Sequence, residues 1–310
     1  MARPTPLPTP RPTPQIAGQP WPRSRDILEL LKPITWFPPV WAFMCGVVSS
    51  GQPIAPRWDL VLIGLMLTGP LVCGTSQAVN DWFDRHVDAI NEPGRPIPSG
   101  RIAGTWGLRI AIIGSALSLI VALAAGAWVF GATCLALACA WAYSAPPFRA
   151  KMSGLWGPAL VAVSYEGLTW FTGASVMAGG LPPLPVLAVL ALYSLGAHGI
   201  MTLNDFKAIE GDRAMGIRSL PAVLGVRSAA IIACVVMAVP QLGVIALLAA
   251  LHHGWAALII AGLLAVQLAL MPRLIADPVA RAPWYNGTGT TLSVLGMLVA
   301  ALGLGARLPI

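Results

Sequence analysis

Apolar length is the feature that most limits what this chain can fold into. Nine stretches are long, continuous and mostly apolar: about 34–52, 59–80, 106–126, 128–145, 156–178, 184–203, 228–250, 254–272 and 286–306. About 20 apolar helical residues, rising roughly 1.5 Å each, cover the ~30 Å hydrocarbon core of a bilayer. Of the 310 residues, 56% are hydrophobic and only 10% are charged, against about 25% charged in soluble domains. A membrane β-barrel would show short segments of alternating polarity instead of continuous runs. The 32 glycines and 29 prolines do not argue against helices, because membrane helices tolerate both. The expected fold is therefore all-α, a polytopic bundle of about nine transmembrane helices in contact with the lipid bilayer.

The ends and loops add an orientation. Residues 1–27 begin with "RPTPLPTPRPTPQ", whose prolines forbid a helix and leave no apolar signal segment. They read as a disordered Pro-rich tail, with residues 28–310 as one membrane domain. Arginine and lysine crowd the tail and the loops after even-numbered spans, which places the amino terminus and those loops in the cytoplasm. This bias supplies most of the net charge of +7. It is not a nucleic-acid footprint, because no single soluble face gathers the basic residues. The five cysteines fall in or beside apolar spans without metal spacing and read as small hydrophobes.

Against this apolar background the acids are unevenly placed. Of 12 Asp and Glu, Asp81, Asp84, Asp88 and Glu92 form one segment, and Asp205, Glu210 and Asp212 another. Both sit at the cytoplasmic end of an even-numbered span, and both open with Asn-Asp, "NDWFD" at Asn80 and "NDFKA" at Asn204. Residues 80, 84 and 88 share a helical face, as do 81, 84 and 88, and a helix running through Asp205 and Asp212 would align those too. Stacked carboxylates near a bilayer need cationic compensation. Oxygen donors of this kind suit Mg2+, while zinc or copper would want Cys and His. The arginines that follow each segment, including Arg95, Arg101, Arg213 and Arg218, suit phosphate oxygens. The plainer reading is a solvated cytoplasmic loop, and for any one arginine the orientation bias alone would place it there. A lipid diphosphate is the substrate class that a magnesium site at a membrane face implies. Its natural chemistry is departure of pyrophosphate from an allylic carbon, with the bundle keeping water from the cation. Inside the spans, Glu166 and His198 are lone polar residues. Each is either an acceptor contact, His198 as an axial ligand to a bound metal, or a satisfied interior hydrogen bond.

These residues resemble the UbiA-type intramembrane prenyltransferases. The likeness covers nearly the whole chain after about residue 28 and rests on the bundle with "NDWFDRHVD" and "NDFKAIEGDR". It implies that Asn80, Asp81, Asp84 and Asp88 form a first metal motif, and that Asp205 and Asp212 belong to a second. Ala208 stands where that second motif usually has its middle Asp. By the same likeness Asp84, Asp88 and Asp212 carry catalysis with Mg2+ as cofactor. The diphosphate would be held by Arg85, Arg95, Arg101 and Arg213, and by Tyr143, Arg149 and Lys151 of "YSAPPFRAK". The strings "LLKPITWFPPVWAF", "DAINEPGRPIPSGRI" and "LNDFKAIEGDRAMGIRSLPAVLG" are similar to the chlorophyll synthase group, more to its bacteriochlorophyll branch. That group implies transfer of a geranylgeranyl or phytyl unit to the propionate of a (bacterio)chlorophyllide, with Glu166 and His198 as acceptor contacts. It also implies a cell inner membrane or intracytoplasmic photosynthetic membrane. A propionate is ionised at neutral pH and needs no general base, which matches the lack of a Ser or Cys nucleophile dyad. The rivals are another acceptor (4-hydroxybenzoate, homogentisate or haem) and, from a different class, a transporter or pigment-binding membrane protein.

Overall fold

The computed structural model describes residues 21–306. The Pro-rich tail lies almost wholly outside the described residues, in 1–20, as do 307–310. Its expected boundary at residue 27 falls inside a short helix, α1 (Ser24–Leu30). The described residues are helical throughout, with one isolated β-bridge between Ser153 and Arg218. Helices fall on every expected span: α2 (Phe37–Ser49), α3 (Ala55–Asn91), α4 (Trp106–Ala125), α5 (Ala127–Ser144), α6 (156–178), α7 (Leu184–Asp205), and then, after two short helices, α10 (Val226–Ala250), α11 (Gly254–Ala276) and α12 (Pro278–Gly305). The short pair is α8 (Ile209–Met215) and α9 (Leu220–Leu224). Seven of these helices are long and apolar enough to cross a membrane, with Pro33–Ser49 a shorter apolar one.

Local chemistry explains the breaks. Gly126, at φ 118°, separates α4 from α5 in a backbone conformation that a side chain would strain. Pro70 lies within α3 and lacks the N–H for the usual ladder, and the helix widens there into a π-helical segment, Leu67–Cys73. A second π-helical segment, Val163–Leu168, interrupts α6 without a proline. α3 also runs past the expected span end at residue 80 to Asn91, so the first acidic segment is a helical projection beyond the apolar run. On α4 only 17% of the most apolar window is buried inside the protein, and Leu117, Ile120 and Leu123 are exposed. Those side chains are satisfied by lipid rather than by a protein core.

Packing inside the bundle depends on close backbone approach. A Cβ on Gly46 of α2 would meet the Trp170 carbonyl at 2.1 Å, and one on Gly173 of α6 would meet the Phe43 carbonyl at 2.1 Å. The two glycines thus let α2 and α6 touch main chain to main chain, as small residues do between membrane helices. Trp170 is fully buried in this contact and donates from Nε1 to Ser49 Oγ at 3.0 Å. Gly173→Leu is expected to destabilise the bundle by about 1–3 kcal/mol or more through overpacking, seen as a lowered melting temperature in detergent. Gly131→Ala, where an added Cβ meets nothing within 4 Å, should leave the melt unchanged.

Candidate active site

The acidic end of α3 carries its polar side chains on a strip about 100° wide, at roughly 100° per residue. Two cationic neighbours divide that strip. Asp81 and Asp88 turn toward the loop that follows the helix. Asp81 Oδ1 accepts from Lys32 Nζ at 2.7 Å and Arg95 NH1 at 3.3 Å, and Asp88 Oδ2 accepts from Arg95 NH1 at 2.8 Å. Arg95 also grips Glu92. Burial alone would lower the Arg95 pKa, but its hydrogen bond to Glu92 and the Asp81 and Asp88 charges raise it above the ordinary arginine value. Asn80 and Asp84 lie along the other edge of the strip. Asn80 Nδ2 donates to Asp84 Oδ2 at 3.0 Å and Ser144 Oγ at 3.3 Å. Asp84 is paired with Lys151 and lies 4.0 Å from Arg149 NH2. Burial lowers the Lys151 pKa below the ordinary lysine value, while its hydrogen bond to Asp84 pulls the other way.

The second acidic segment is built differently from the expectation. α7 ends at Asp205, a turn closed by Ala208 N–H to the Asp205 carbonyl at 3.0 Å follows, and α8 starts at Ile209. No single helical face carries Asp205 and Asp212. Phe206, buried in the core, lies at the turn between the two helices. Asp212 is brought back by α8 and accepts from Ser219 Oγ at 2.6 Å. Ala208 caps α8, and Glu210 is exposed.

Both segments border one cavity of about 540 Å3. Asn80 of the first and Asn204 of the second line it, with Tyr143 and Asn286. Asn286 Nδ2 donates to Asn204 Oδ1 at 3.2 Å, and Tyr143 lies within electrostatic reach of both Asp84 and Asp205. Away from Asn80 and Asn204 the wall is largely apolar, with Pro39, Val72, Ala136, Leu160 and Ile200 among its residues. Glu166 lies on this wall, whereas His198 does not. His198 borders a separate apolar groove of about 400 Å3 between α6 and α7, with Nε2 3.1 Å from the Leu155 carbonyl oxygen.

Three expected phosphate contacts stand elsewhere. Arg101 is bound to Asp26 Oδ1 at 2.7 Å and to both Glu29 oxygens at 2.6 Å, tying α1 to the loop instead of facing the cavity. Arg85 stacks 4.2 Å from the Trp82 ring and donates to the Trp82 carbonyl. Arg213 is exposed on α8. Sequence reasoning gave no role to Lys32, although it lies in the string "LLKPITWFPPVWAF"; it reaches Asp81 from a left-handed residue between α1 and α2. It also missed Gln77, Ser164 and Tyr165, which line the cavity with Glu166. Among the described residues no three Asp, Glu, His or Cys side chains come close enough to hold a metal ion by themselves.

The UbiA prenyltransferase family profile matches residues 36–286. The chain is 58% identical to the bacteriochlorophyll synthase 33 kDa chain of Cereibacter sphaeroides, over 91% of this chain and 94% of that protein. Among solved structures, a digeranylgeranylglyceryl phosphate synthase superposes with TM-score 0.72 at 21% identity, covering 90% of this chain and 98% of the other. A UbiA homologue from Archaeoglobus fulgidus bound to GPP and Mg2+ superposes with TM-score 0.64 at 20% identity, covering 90% and 98%. The site geometry predicts that Lys151→Ala weakens binding of inorganic pyrophosphate with Mg2+ by about tenfold or more, the scale of a lost charge-assisted contact. Arg101→Ala, whose bonds go to Asp26 and Glu29 of α1 and to Gly94 and Ser99 of its own loop, should leave that affinity within about twofold. Calorimetry on detergent-purified protein measures both.

Proposed function

Because the chain belongs to the UbiA prenyltransferase family, we propose that it transfers a geranylgeranyl or phytyl group from its diphosphate to the propionate carboxylate of a (bacterio)chlorophyllide. The observation that carries this reading is the single cavity on which both acidic segments converge, polar at its mouth, beside Asn80 and Asn204, and largely apolar elsewhere. The mouth suits a diphosphate and the apolar wall suits an isoprenoid chain. The chlorin acceptor is supported by the 58% identity to a bacteriochlorophyll synthase chain.

The chemistry balances without a protein base. The bond between the allylic carbon and the diphosphate oxygen breaks, and its electron pair leaves with pyrophosphate. A propionate oxygen, already ionised at neutral pH, bonds to that carbon and forms the ester. Lys151 and Arg149, held beside Asp84, grip the diphosphate and stabilise its charge as it departs. The apolar wall excludes water that would otherwise capture the allylic cation.

Magnesium fits the donor set at the mouth. Asn80, Asp84 and Asp205 offer amide and carboxylate oxygens there, and the homologue from Archaeoglobus fulgidus is described as bound to GPP and Mg2+. Too few carboxylates converge to hold an ion alone, so the remaining ligands would be phosphate oxygens and water. When bound, the ion would neutralise the diphosphate and so favour its departure. Asp81 and Asp88 act from the other side, holding Lys32 and Arg95, and Asp212 shapes the second segment through Ser219. The loop bias supports a cytoplasmic amino terminus and mouth, in an inner or intracytoplasmic photosynthetic membrane.

Purified protein supplied with bacteriochlorophyllide and geranylgeranyl diphosphate is expected to form an esterified pigment with Mg2+ and none with EDTA, followed by chromatography. Prenylation of 4-hydroxybenzoate instead would overturn the acceptor but keep the chemistry. Asp84→Ala is expected to lower kcat/KM by about 100-fold or more, the scale of losing an electrostatic group at the reacting centre. Asp205→Ala is expected to lower it to a similar degree, with both variants still folded in detergent. Near-normal rates in both would sink the metal assignment.

A further inference from the structure

Ser164, Tyr165 and Glu166 are consecutive and all three line the cavity, within the π-helical segment Val163–Leu168. With Gln77 and Thr169 they make this stretch of a largely apolar wall polar. Tyr165 is satisfied within the protein, accepting at its hydroxyl from Gln77 Nε2 at 3.0 Å and from the Cys73 thiol at 3.3 Å. The other two are not. Glu166 Oε2 is buried without a hydrogen-bond partner, and no ion pair among the described residues includes Glu166. Ser164 Oγ likewise makes no hydrogen bond of normal geometry, with the weakly bonding Cys139 thiol near it. Two unsatisfied polar groups on one turn, facing one cavity, call for a partner that arrives with the ligand.

Substrate chemistry decides which ligand. A prenyl diphosphate is polar only at its diphosphate, and the cations for that group are at the mouth. The rest of it is hydrocarbon. The polar atoms left to reach this patch belong to the acceptor. The peripheral groups of a chlorin include ring-edge carbonyls, which accept hydrogen bonds. Without a cation beside it and away from water, Glu166 is disfavoured as a charge and serves as an O–H donor.

We propose that Ser164 and Glu166 form an acceptor subsite that hydrogen-bonds a ring-edge carbonyl of the chlorin and so helps to select it. The inference rests on the chlorin reading above and makes Glu166 a specificity residue rather than a catalytic one.

Steady-state kinetics with both substrates varied tests it. Glu166→Leu is expected to raise KM for the chlorin about tenfold, with KM for the prenyl diphosphate within about twofold. Glu166→Gln, whose amide can still donate, should stay within about twofold of the parent protein, and Ser164→Ala should raise the chlorin KM by roughly threefold. The parent protein should also lose about tenfold in KM for a chlorin whose ring carbonyl is reduced to a methylene, a distinction that Glu166→Leu no longer makes. If Glu166→Leu does not fold, the two chlorins compared on the parent protein still decide. Equal KM for the two chlorins, or a change confined to the prenyl diphosphate, overturns the subsite while leaving chlorin prenylation standing. No turnover of any chlorin by the parent protein, with prenylation of another acceptor, overturns both.

Discussion

Charge compensation at the edge of a low-dielectric bundle is the constraint on which the site depends. α3 carries three aspartates beyond its apolar run, and water alone does not hold them apart. Asp81 is almost fully buried, so its charge must be met by protein. Lys32 and Arg95 meet it from one side, while Lys151 and Arg149 meet Asp84 from the other. Removing one partner of a buried pair leaves an uncompensated charge, typically about 3–5 kcal/mol destabilising. The pairs therefore fix where the loop after α3 and the loop between α5 and α6 lie. Asn80, which lines the cavity, is bonded to Asp84, so the electrostatics that stabilise the helix end also hold Lys151 near that side of the cavity.

The interior follows a second constraint, satisfaction of backbone groups inside lipid. Helices solve this, but regular helices would present each wall of the cavity with an evenly rotating set of side chains. Two π-helical segments change that. In α3 it sits where Pro70 interrupts the ladder, next to cavity residues Val72 and Cys73. In α6 it contains Ser164, Tyr165 and Glu166, all of which line the cavity. The two segments meet through the Tyr165 bonds to Cys73 and Gln77, so the irregular turns support each other.

How much was legible varies with the range of the interaction. The first acidic motif reads directly, because the spacing of Asn80, Asp81, Asp84 and Asp88 is a local helical property. The second was misread as one continuous helix. The chain turns at Phe206, whose ring is buried in the core, and nothing in "NDFKAIEGD" marks the turn. Arg101 looked like a phosphate ligand from its place after the motif. Its partners Asp26 and Glu29 are 75 and 72 residues away, a separation that no local pattern reports. The pairing of Lys32 was invisible for the same reason. Cys73 was read as filler, yet it lines the cavity.

The sequence by itself determined the helical class, the positions of the apolar runs, the two acidic helix ends and the oxygen-donor chemistry they can support. Each of these follows from hydrophobic length, charge and helical period, which act within a few turns of chain. Only the tertiary structure decided which cation meets which carboxylate, which expected arginines are diverted to a latch, and that Asn80 and Asn204 face one cavity. It also decided that Glu166 lies on the cavity wall while His198 faces a separate groove. Those outcomes depend on contacts between residues tens to hundreds of positions apart, and on the widening of a helix that hydrophobic periodicity does not encode.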